Sequence, residues 1–534
     1  MSSQDPCAKG FILSGKSSAD CQKSQARWIL AATILASSMA FIDGTVVNVA
    51  LPFLQQDLSA TAIGVQWVVE SYSLFLAALL LVGGSLGDRY GRRRVFLIGI
   101  VIFAIASAAC GISVNIGQLI VARAAQGIGG ALLVPGSLAI ISASFGKDQR
   151  GKAIGTWSGF SAITTAIGPV LGGWLVEHLS WRAVFFLNLP LAAAVIAISL
   201  WRVPESREKA VHGSLDWPGA SLATLGLGAL VYGLIESSRV GFSNPIVLVC
   251  LVAGLVTLGL FVLNESRIKN PMVPLALFRS KDFAGANLLT LFLYAALSGT
   301  FFFYTLNLIQ VQHYSATAAG SALLPFVVIM FSLSRWSGGL VDRFGSRLPL
   351  TVGPLVAALG FGLFMLPGVN SNYWTSFFPA VVVLGLGMAV SVAPLTTTVM
   401  GSVDSEQAGV ASGINNAVSR AAGLIAIAVF GVLMMNLFGR QLADKLNQVA
   451  LSEEMRSSVE SQFVQLGGMK LPAGLTQETR SAVTTAIEES FVSGFRLIML
   501  VSAGLAVSSG LSSWLMIGKS ATNSRIAEPG QRTD

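Results

Sequence analysis

Charge is what this sequence has least of. Aspartate, glutamate, lysine and arginine make up 11% of its 534 residues, where a soluble protein of this size carries about a quarter. That shortage excludes a water-soluble globular fold and leaves an integral membrane protein. Histidine is scarcer still, at 3 residues, and the 4 cysteines (Cys7, Cys21, Cys110, Cys250) show neither metal-binding nor disulfide spacing. No metal centre is expected. No nucleophile–base pair stands out either, so an enzyme is not expected. The first 27 residues are polar and end at Arg27-Trp28 with no short apolar core and small-residue cleavage site. No signal peptide is expected, and the first apolar run reads as a retained helix.

What is abundant is apolar, 53% of the chain. Runs of about 20 apolar residues, enough to cross a bilayer, fall near 28–50, 65–86, 95–113, 117–142, 151–176 and 182–201. Two more lie near 215–235 and 245–264, and six near 283–308, 317–340, 348–367, 374–400, 408–435 and 491–517. The expectation is an all-α membrane fold with fourteen spans. Lysine and arginine mark the cytoplasmic loops. They gather after even-numbered spans, with Arg89, Arg92, Arg93 and Arg94 in one turn, whereas the short loops on the other side hold only Arg182 and Arg239. Both termini are therefore expected to be cytoplasmic. One inner loop, 401–407 (GSVDSEQ), has two acids and no base. The long outer segment 436–490 mixes both signs and reads as surface helices, such as 452–465.

The loop after span 2 reads GSLGDRYGRRR (84–94), and the loop after span 10 reads GGLVDRFGSR (338–347). Each half of the chain thus carries Gly-x-x-x-Asp-Arg-aromatic-Gly-x-Arg after a helix that runs inward. Such parallel repeats are a transporter architecture, with the substrate site near the midplane. The expected layout is a cytoplasmic tail at 1–27, a six-helix bundle at 28–201 and an inserted helix pair at 202–264. A second six-helix bundle follows at 265–517, containing the outer loop 436–490, and then a cytoplasmic tail at 518–534.

With these motifs the chain resembles the major facilitator superfamily, and within it the fourteen-helix drug:proton antiporters of the EmrB/QacA type. The resemblance also rests on DGTVVNVALP (43–52), RAAQGIGGALLVPGS (123–137), GPVLGG (168–173), WRAVFFLNLP (181–190) and LDWPGA (215–220). It implies the major facilitator fold of two six-helix bundles plus two inserted helices. It also implies a proton-coupled secondary active exporter of amphipathic, cationic drugs or toxic organic compounds, a multidrug-efflux and antibiotic-resistance role in the cell membrane. The energy source would be a proton gradient, with no cofactor. The partners would be a small-molecule substrate, protons and the lipid bilayer, not nucleic acid. A periplasmic adaptor stays open, and a monomer is expected. Two other readings remain: export of one endogenous metabolite, lipid or siderophore by the same fold, and a non-transporting docking or sensory protein.

The resemblance assigns a conformational lock to Gly84, Asp88, Arg89, Gly91 and Arg92, echoed by Asp342 and Arg343. Basic residues that keep a loop inside, with glycines for a tight turn, explain part of this loop but not Asp88. The resemblance docks that carboxylate at the N-terminus of span 13, where the helix dipole attracts an anion. In span 5, Thr164, Gly168 and Gly172 recur on one face, beside Pro169 and Gly173. Small residues at this spacing let helices approach closely; that the stretch is an antiporter motif is implied by the resemblance alone. Threonine stands at 164 where the family's motif often begins with glycine.

Asp43 is the only charge between Trp28 and Leu51, and a carboxylate at such depth costs about 3 kcal/mol or more unless partnered. At the helical rise, Asp43 lies roughly 8 Å below the outer boundary, Glu70 and Arg123 roughly 8–9 Å, and Arg420 roughly 12 Å. Arg123 shares a face with Gln126, Gly127 and Gly130, which a side chain merely snorkelling to headgroups would not need. The resemblance places spans 1 and 4 on the cavity and spans 2 and 13 at the bundle seam. The expected pairs are therefore Asp43 with Arg123 and Glu70 with Arg420, the latter a gate closed in one transport state. Static pairs that only aid assembly are the competing reading. On the functional one, Asp43 takes up a proton or a substrate cation, and Arg123 tunes its proton affinity. Gln126, Tyr294, Phe302, Tyr304, Asn307 and Asn416 are pocket candidates, although the aromatic run 301–304 points all round its helix and most of it is expected to pack in the core.

Overall fold

The computed structural model describes residues 18–145, 147–206, 216–269, 271–403, 407–449, 451–460, 462–469, 471 and 475–518. Cys7, much of the N-terminal tail, residues 404–406 of the acidic loop 401–407 and most of the C-terminal tail lie outside these. No strand occurs among the described residues. The helices of the first half are α1 (Ser18–Asp57), α2 (Ala62–Tyr90), α3 (Arg92–Ile112), α4 (Ile116–Ser144), α5 (Lys147–His178), the short α6 (Ala183–Phe186) and α7 (Asn188–Arg202). Then come α8 (Trp217–Val240), α9 (Pro245–Arg267), α10 (Lys281–Gln310), α11 (Ala316–Ser321), α12 (Leu324–Gly338) and α13 (Leu340–Phe344). The last are α14 (Arg347–Leu363), α15 (Phe378–Gly401), α16 (Ala408–Leu446), α17 (Glu453–Glu460) and α18 (Gln477–Met516). Among the described residues, 12 helices are long and apolar enough to cross a membrane. The 32-residue α5 and the 17-residue α14 stand where the other two expected spans fall.

Side-chain caps set several helix starts. Thr61 accepts from the Gly64 N–H at 3.1 Å ahead of α2, and Asn115 from the Gln118 N–H at 2.9 Å ahead of α4. Each satisfies one of the donors that a helix start leaves bare. The LDWPGA stretch works the same way: Asp216 accepts from the Gly219 N–H at 2.8 Å, and Pro218 sits in the first turn of α8, where no N–H is missed. Asn264 of α9 also donates to Asp216, at 3.1 Å, tying α8 to α9. Pro52, Pro135 and Pro169 lie inside α1, α4 and α5, as membrane-spanning helices tolerate.

The chain divides into two compact units. The first comprises Met1–Tyr232, Leu248–Met272 and Tyr314–Ser321; the second comprises Gly233–Val247, Val273–His313 and Ala322–Asp534. In the first unit α4 packs against α2 and α3, and α1 against α5 and α7. The α3–α4 crossing is so close that a Cβ on Gly129 would sit 2.6 Å from the Phe103 nitrogen. Gly129→Leu is therefore expected to cost about 1–3 kcal/mol or more and to lower the thermal melting temperature in detergent. Gly259→Ala, at a site with nothing within 4 Å, should leave it unchanged. Equal melting of both variants would show that the crossing tolerates added volume.

In the second unit α10 packs against α16 and α18, and α15 against α12 and α14. In the segment 436–490, α17 and a 3-10 turn at Phe463–Gly468 fall where surface helices are expected near 452–465, while α16 runs on to Leu446 and α18 already starts at Gln477. Lys445 pairs with Glu489 across the two extensions, and Leu466 is buried beneath the turn. These charged turns continue the helices because a helix needs no apolar face where water and paired side chains satisfy it.

Candidate functional site

Two buried charges of the first unit meet in one cluster. Asp43 of α1 forms an ion pair with Arg123 of α4, and both are essentially inaccessible. Arg123 Nε donates to the Val68 carbonyl of α2 at 3.1 Å, and Nη1 to Gln126 Oε1 at 2.8 Å. Its guanidinium lies 4.3 Å from the Tyr72 ring centre, a cation–π contact. Gln126 Nε2 donates to Asp43 Oδ1 at 2.8 Å. The spacing of α4 explains this division of labour. Arg123 and Gln126 point at α1, while Gly127, where a Cβ would meet the Tyr72 carbonyl at 2.4 Å, brings the α2 backbone close.

Three further members were not singled out from the sequence. Asn188, at the start of α7, donates to Asp43 Oδ1 at 3.2 Å and to Ser107 Oγ at 3.0 Å. Ser107 of α3 donates to the Phe185 carbonyl at 2.8 Å. Cys110 Sγ lies 3.7 Å from Gln126 Oε1. Asn188 had a legible signal, a carboxamide opening an apolar span within WRAVFFLNLP. Ser107 and Cys110 had none, since small residues in an apolar helix usually only pack. Chemically the cluster is a carboxylate ringed by donors, able to hold a negative charge in a dry interior.

Glu70 lies apart from this cluster. It is fully buried on α2, and neither of its oxygens has a hydrogen-bond partner. Arg420 is a half-buried residue of α16 in the second unit.

The loop motif takes up its own geometry. Gly91 adopts φ of +110°, a region that side chains avoid, and so lets the chain turn from α2 into α3. Asp88 accepts from Arg92 Nε at 2.8 Å. Beside them Arg93 donates through its backbone to Glu205 Oε1 at 3.0 Å and through Nη1 to the Val203 carbonyl at 3.0 Å. The stretch after α7 is thus clasped onto the start of α3. Gly84 faces Pro135, Arg89 lies 5.7 Å from the Tyr90 ring, and Arg343 is exposed. The side chain of Asp342 lies outside the described part.

The span 5 glycines make two approaches. A Cβ on Gly168 would collide with Thr45 Oγ1 at 2.1 Å and one on Gly172 with Val46 at 2.4 Å, both on α1. On the other side, a Cβ on Gly173 would meet the Ala316 carbonyl of α11 at 2.4 Å, and one on Gly320 the Pro169 carbonyl at 2.1 Å. These contacts hold α11 against α5 within the first unit. Thr164 donates back to the Phe160 carbonyl, at 3.1 Å.

At the C-terminal end of α5, beyond the apolar span, Glu177 accepts from the Thr317 backbone at 3.2 Å and from its hydroxyl. The Thr317 hydroxyl and then its N–H hold the Glu177 carboxyl below the usual glutamate range. A lowered value means that the contact is fully made above the ordinary pKa of about 4.3 and lost as pH falls through the depressed one. Amide protection at 315–321, relative to the intrinsic exchange rate at each pH, should therefore stay high above the ordinary glutamate range, fall as pH drops below it, and be low already at neutral pH in Glu177→Gln. Identical exchange in that variant would mean that the contact holds nothing.

Most pocket candidates turn out to be packing or helix-end residues. Phe302 and Tyr304 are buried in the second unit, Tyr304 with its ring 5.1 Å from Phe364 and 5.7 Å from Phe377. Phe303 packs edge-on to Phe302, with ring centres 4.9 Å apart. Asn307 accepts from Gln312 Nε2 at 3.3 Å at the end of α10. Asn416 donates back to the Ser412 carbonyl at 3.0 Å, and Tyr294 is half-buried.

The Major Facilitator Superfamily model matches residues 33–428. The chain is 33% identical over 506 residues to the "Tetracenomycin C resistance and export protein" of Streptomyces glaucescens, covering 94% of this chain and 92% of that one. It is 35% identical over 499 residues to the "Multidrug resistance protein Stp" of Mycobacterium tuberculosis, covering 91% of each. Among solved structures it resembles an inward-facing bacterial homolog of the human lysosomal transporter Spinster, with TM-score 0.62, 17% identity and coverage of 91% and 97%. From the span count, the repeated loop motif and these matches together, the chain belongs to the major facilitator superfamily and is a multi-pass membrane transporter rather than an enzyme.

Proposed function

We propose that the protein is a proton-coupled exporter of amphipathic, cationic drugs or toxic organic compounds, working by alternating access from the cell membrane with both termini cytoplasmic. The observation that carries this reading is the buried Asp43–Arg123 pair inside a ring of donors. Such a site has a charged and a neutral form of very different cost in hydrocarbon. A proton arriving on Asp43 cancels the charge and weakens its hold on Arg123, and a substrate cation competes for the same carboxylate. Glu70, buried without a partner, serves as a second proton site. The arginines of the 84–94 loop support the orientation. The names of the two relatives, a resistance and export protein and a multidrug resistance protein, support outward transport of foreign compounds.

The tetracenomycin C relative also favours a second reading, export of a single endogenous product. The test is efflux from proteoliposomes carrying a pH gradient, screened across cationic, neutral and anionic amphiphiles. The proposal expects gradient-driven efflux of several cationic amphiphiles. Transport of one compound class alone favours the second reading, and equal rates with the gradient collapsed contradict proton coupling.

A further inference from the structure

Asn188 has hydrogen-bonding capacity to spare in the cluster around Asp43. Its side chain is 1% exposed. Nδ2 donates to Asp43 and Ser107, while Oδ1 has no partner, an uncommon state for a buried carbonyl oxygen. Its neighbours are committed. Gln126 Oε1 accepts from Arg123, Gln126 Nε2 donates to Asp43, and the Ser107 hydroxyl donates to the Phe185 carbonyl. Arg123 has donors only. The groups hydrogen-bonded to Asp43, namely Arg123, Gln126 and Asn188, all donate to it. That arrangement suits a carboxylate and offers no acceptor to the O–H of a carboxylic acid.

We propose that Asn188 is the positioning residue for the coupling proton, turning its carboxamide over when Asp43 changes charge. The proposal rests on the reading of Asp43 as a proton site. With Asp43 ionised, Nδ2 faces the carboxylate, as in this structure. When a proton from water adds to Asp43 Oδ1, the one new bond is O–H and the product is a neutral acid. A half-turn about the Asn188 Cβ–Cγ bond then presents Oδ1 to that proton. The torsion is broad and roughly two-fold, and the amide oxygen and nitrogen are nearly alike in shape, so the turn needs no repacking. The Ser107 hydroxyl can rotate to follow, exchanging its bond to the Phe185 carbonyl for one donated to Oδ1 once Nδ2 has moved away. Each charge state of Asp43 thereby keeps a partner at the same atom.

The test is infrared difference spectroscopy, acid minus neutral, on the full-length protein in lipid vesicles. Wild type should show a protonated-carboxyl band that Asp43→Asn removes, together with a shift of an asparagine carboxamide C=O band. That shift should vanish in both Asp43→Asn and Asn188→Leu. Gradient-driven efflux should fall about tenfold in Asn188→Leu, the effect of one lost buried hydrogen bond. In Asn188→Ser, whose hydroxyl can donate and accept in turn, it should stay closer to wild type. A carboxyl band from Asp43 with unmoved carboxamide bands in wild type overturns the proposal whether or not the leucine variant folds. A difference spectrum untouched by Asp43→Asn overturns the underlying assignment of the proton site instead.

Discussion

Asp43→Asn is expected to reduce pH-gradient-driven efflux to the rate seen without a gradient. The substitution keeps size and shape but removes the one carboxylate of the first unit's buried cluster, and with it the group that a proton can neutralise. It also withdraws the anion from Arg123, which is 1% exposed and bonded otherwise to the Val68 carbonyl and Gln126. Two effects are therefore expected: loss of coupling, and loss of stability from a buried cation left without its counter-ion. Efflux assays with and without the gradient separate the first from the second, because a merely unstable transporter loses both rates. Unchanged gradient-driven efflux in a well-folded Asp43→Asn protein would remove Asp43 from the mechanism.

Arg123→Met is expected to be the most destabilising single change in the cluster, by about 3–5 kcal/mol, since it leaves a buried carboxylate without its cation. The Val68 carbonyl and Gln126 Oε1 lose their donor in the same step. Neutralising both partners should reverse much of this, because an apolar or neutral replacement of a whole buried pair is often close to isoenergetic. In a denaturant-unfolding cycle the double variant Asp43→Asn/Arg123→Met should thus be more stable than Arg123→Met alone. Additive losses would mean that the two residues are not energetically coupled, whatever their distance. The double variant has a further use. It restores the fold without restoring a titratable group, and so separates the assembly role of the pair from its role in coupling.

Much of the span layout was legible because it rests on local signals. Apolar run length located the spans; the caps Thr61, Asn115 and Asp216, which act within three residues, are local signals of the same kind that a hydropathy reading does not use. The helix ends at 436–490 were not legible. A hydropathy reading stops where charge begins, but α16 and α18 continue past that point on paired side chains such as Lys445 and Glu489. In the site, Asp43 and Arg123 announce themselves because a charge in an apolar run has so few explanations. Asn188, Ser107 and Cys110 do not, since their meaning comes from four helices converging on one carboxylate. The aromatic run at 301–304 is ambiguous in a different way. Phe302 and Tyr304 suggest a flat pocket by residue type, yet residue type cannot tell a wall from a core, and neighbouring rings fill the space.

The central claim is that a proton on Asp43 drives transport, and the most direct measurement counts protons against substrate. Proteoliposomes containing wild type or Asp43→Asn/Arg123→Met, loaded with a pH-sensitive dye and given a pulse of a transported cationic amphiphile, report both fluxes at once. Wild type should move protons opposite to the substrate in fixed proportion, and the double variant should show no substrate-linked proton movement. Proton flux tied to substrate in the double variant, at the wild-type ratio, would contradict the account.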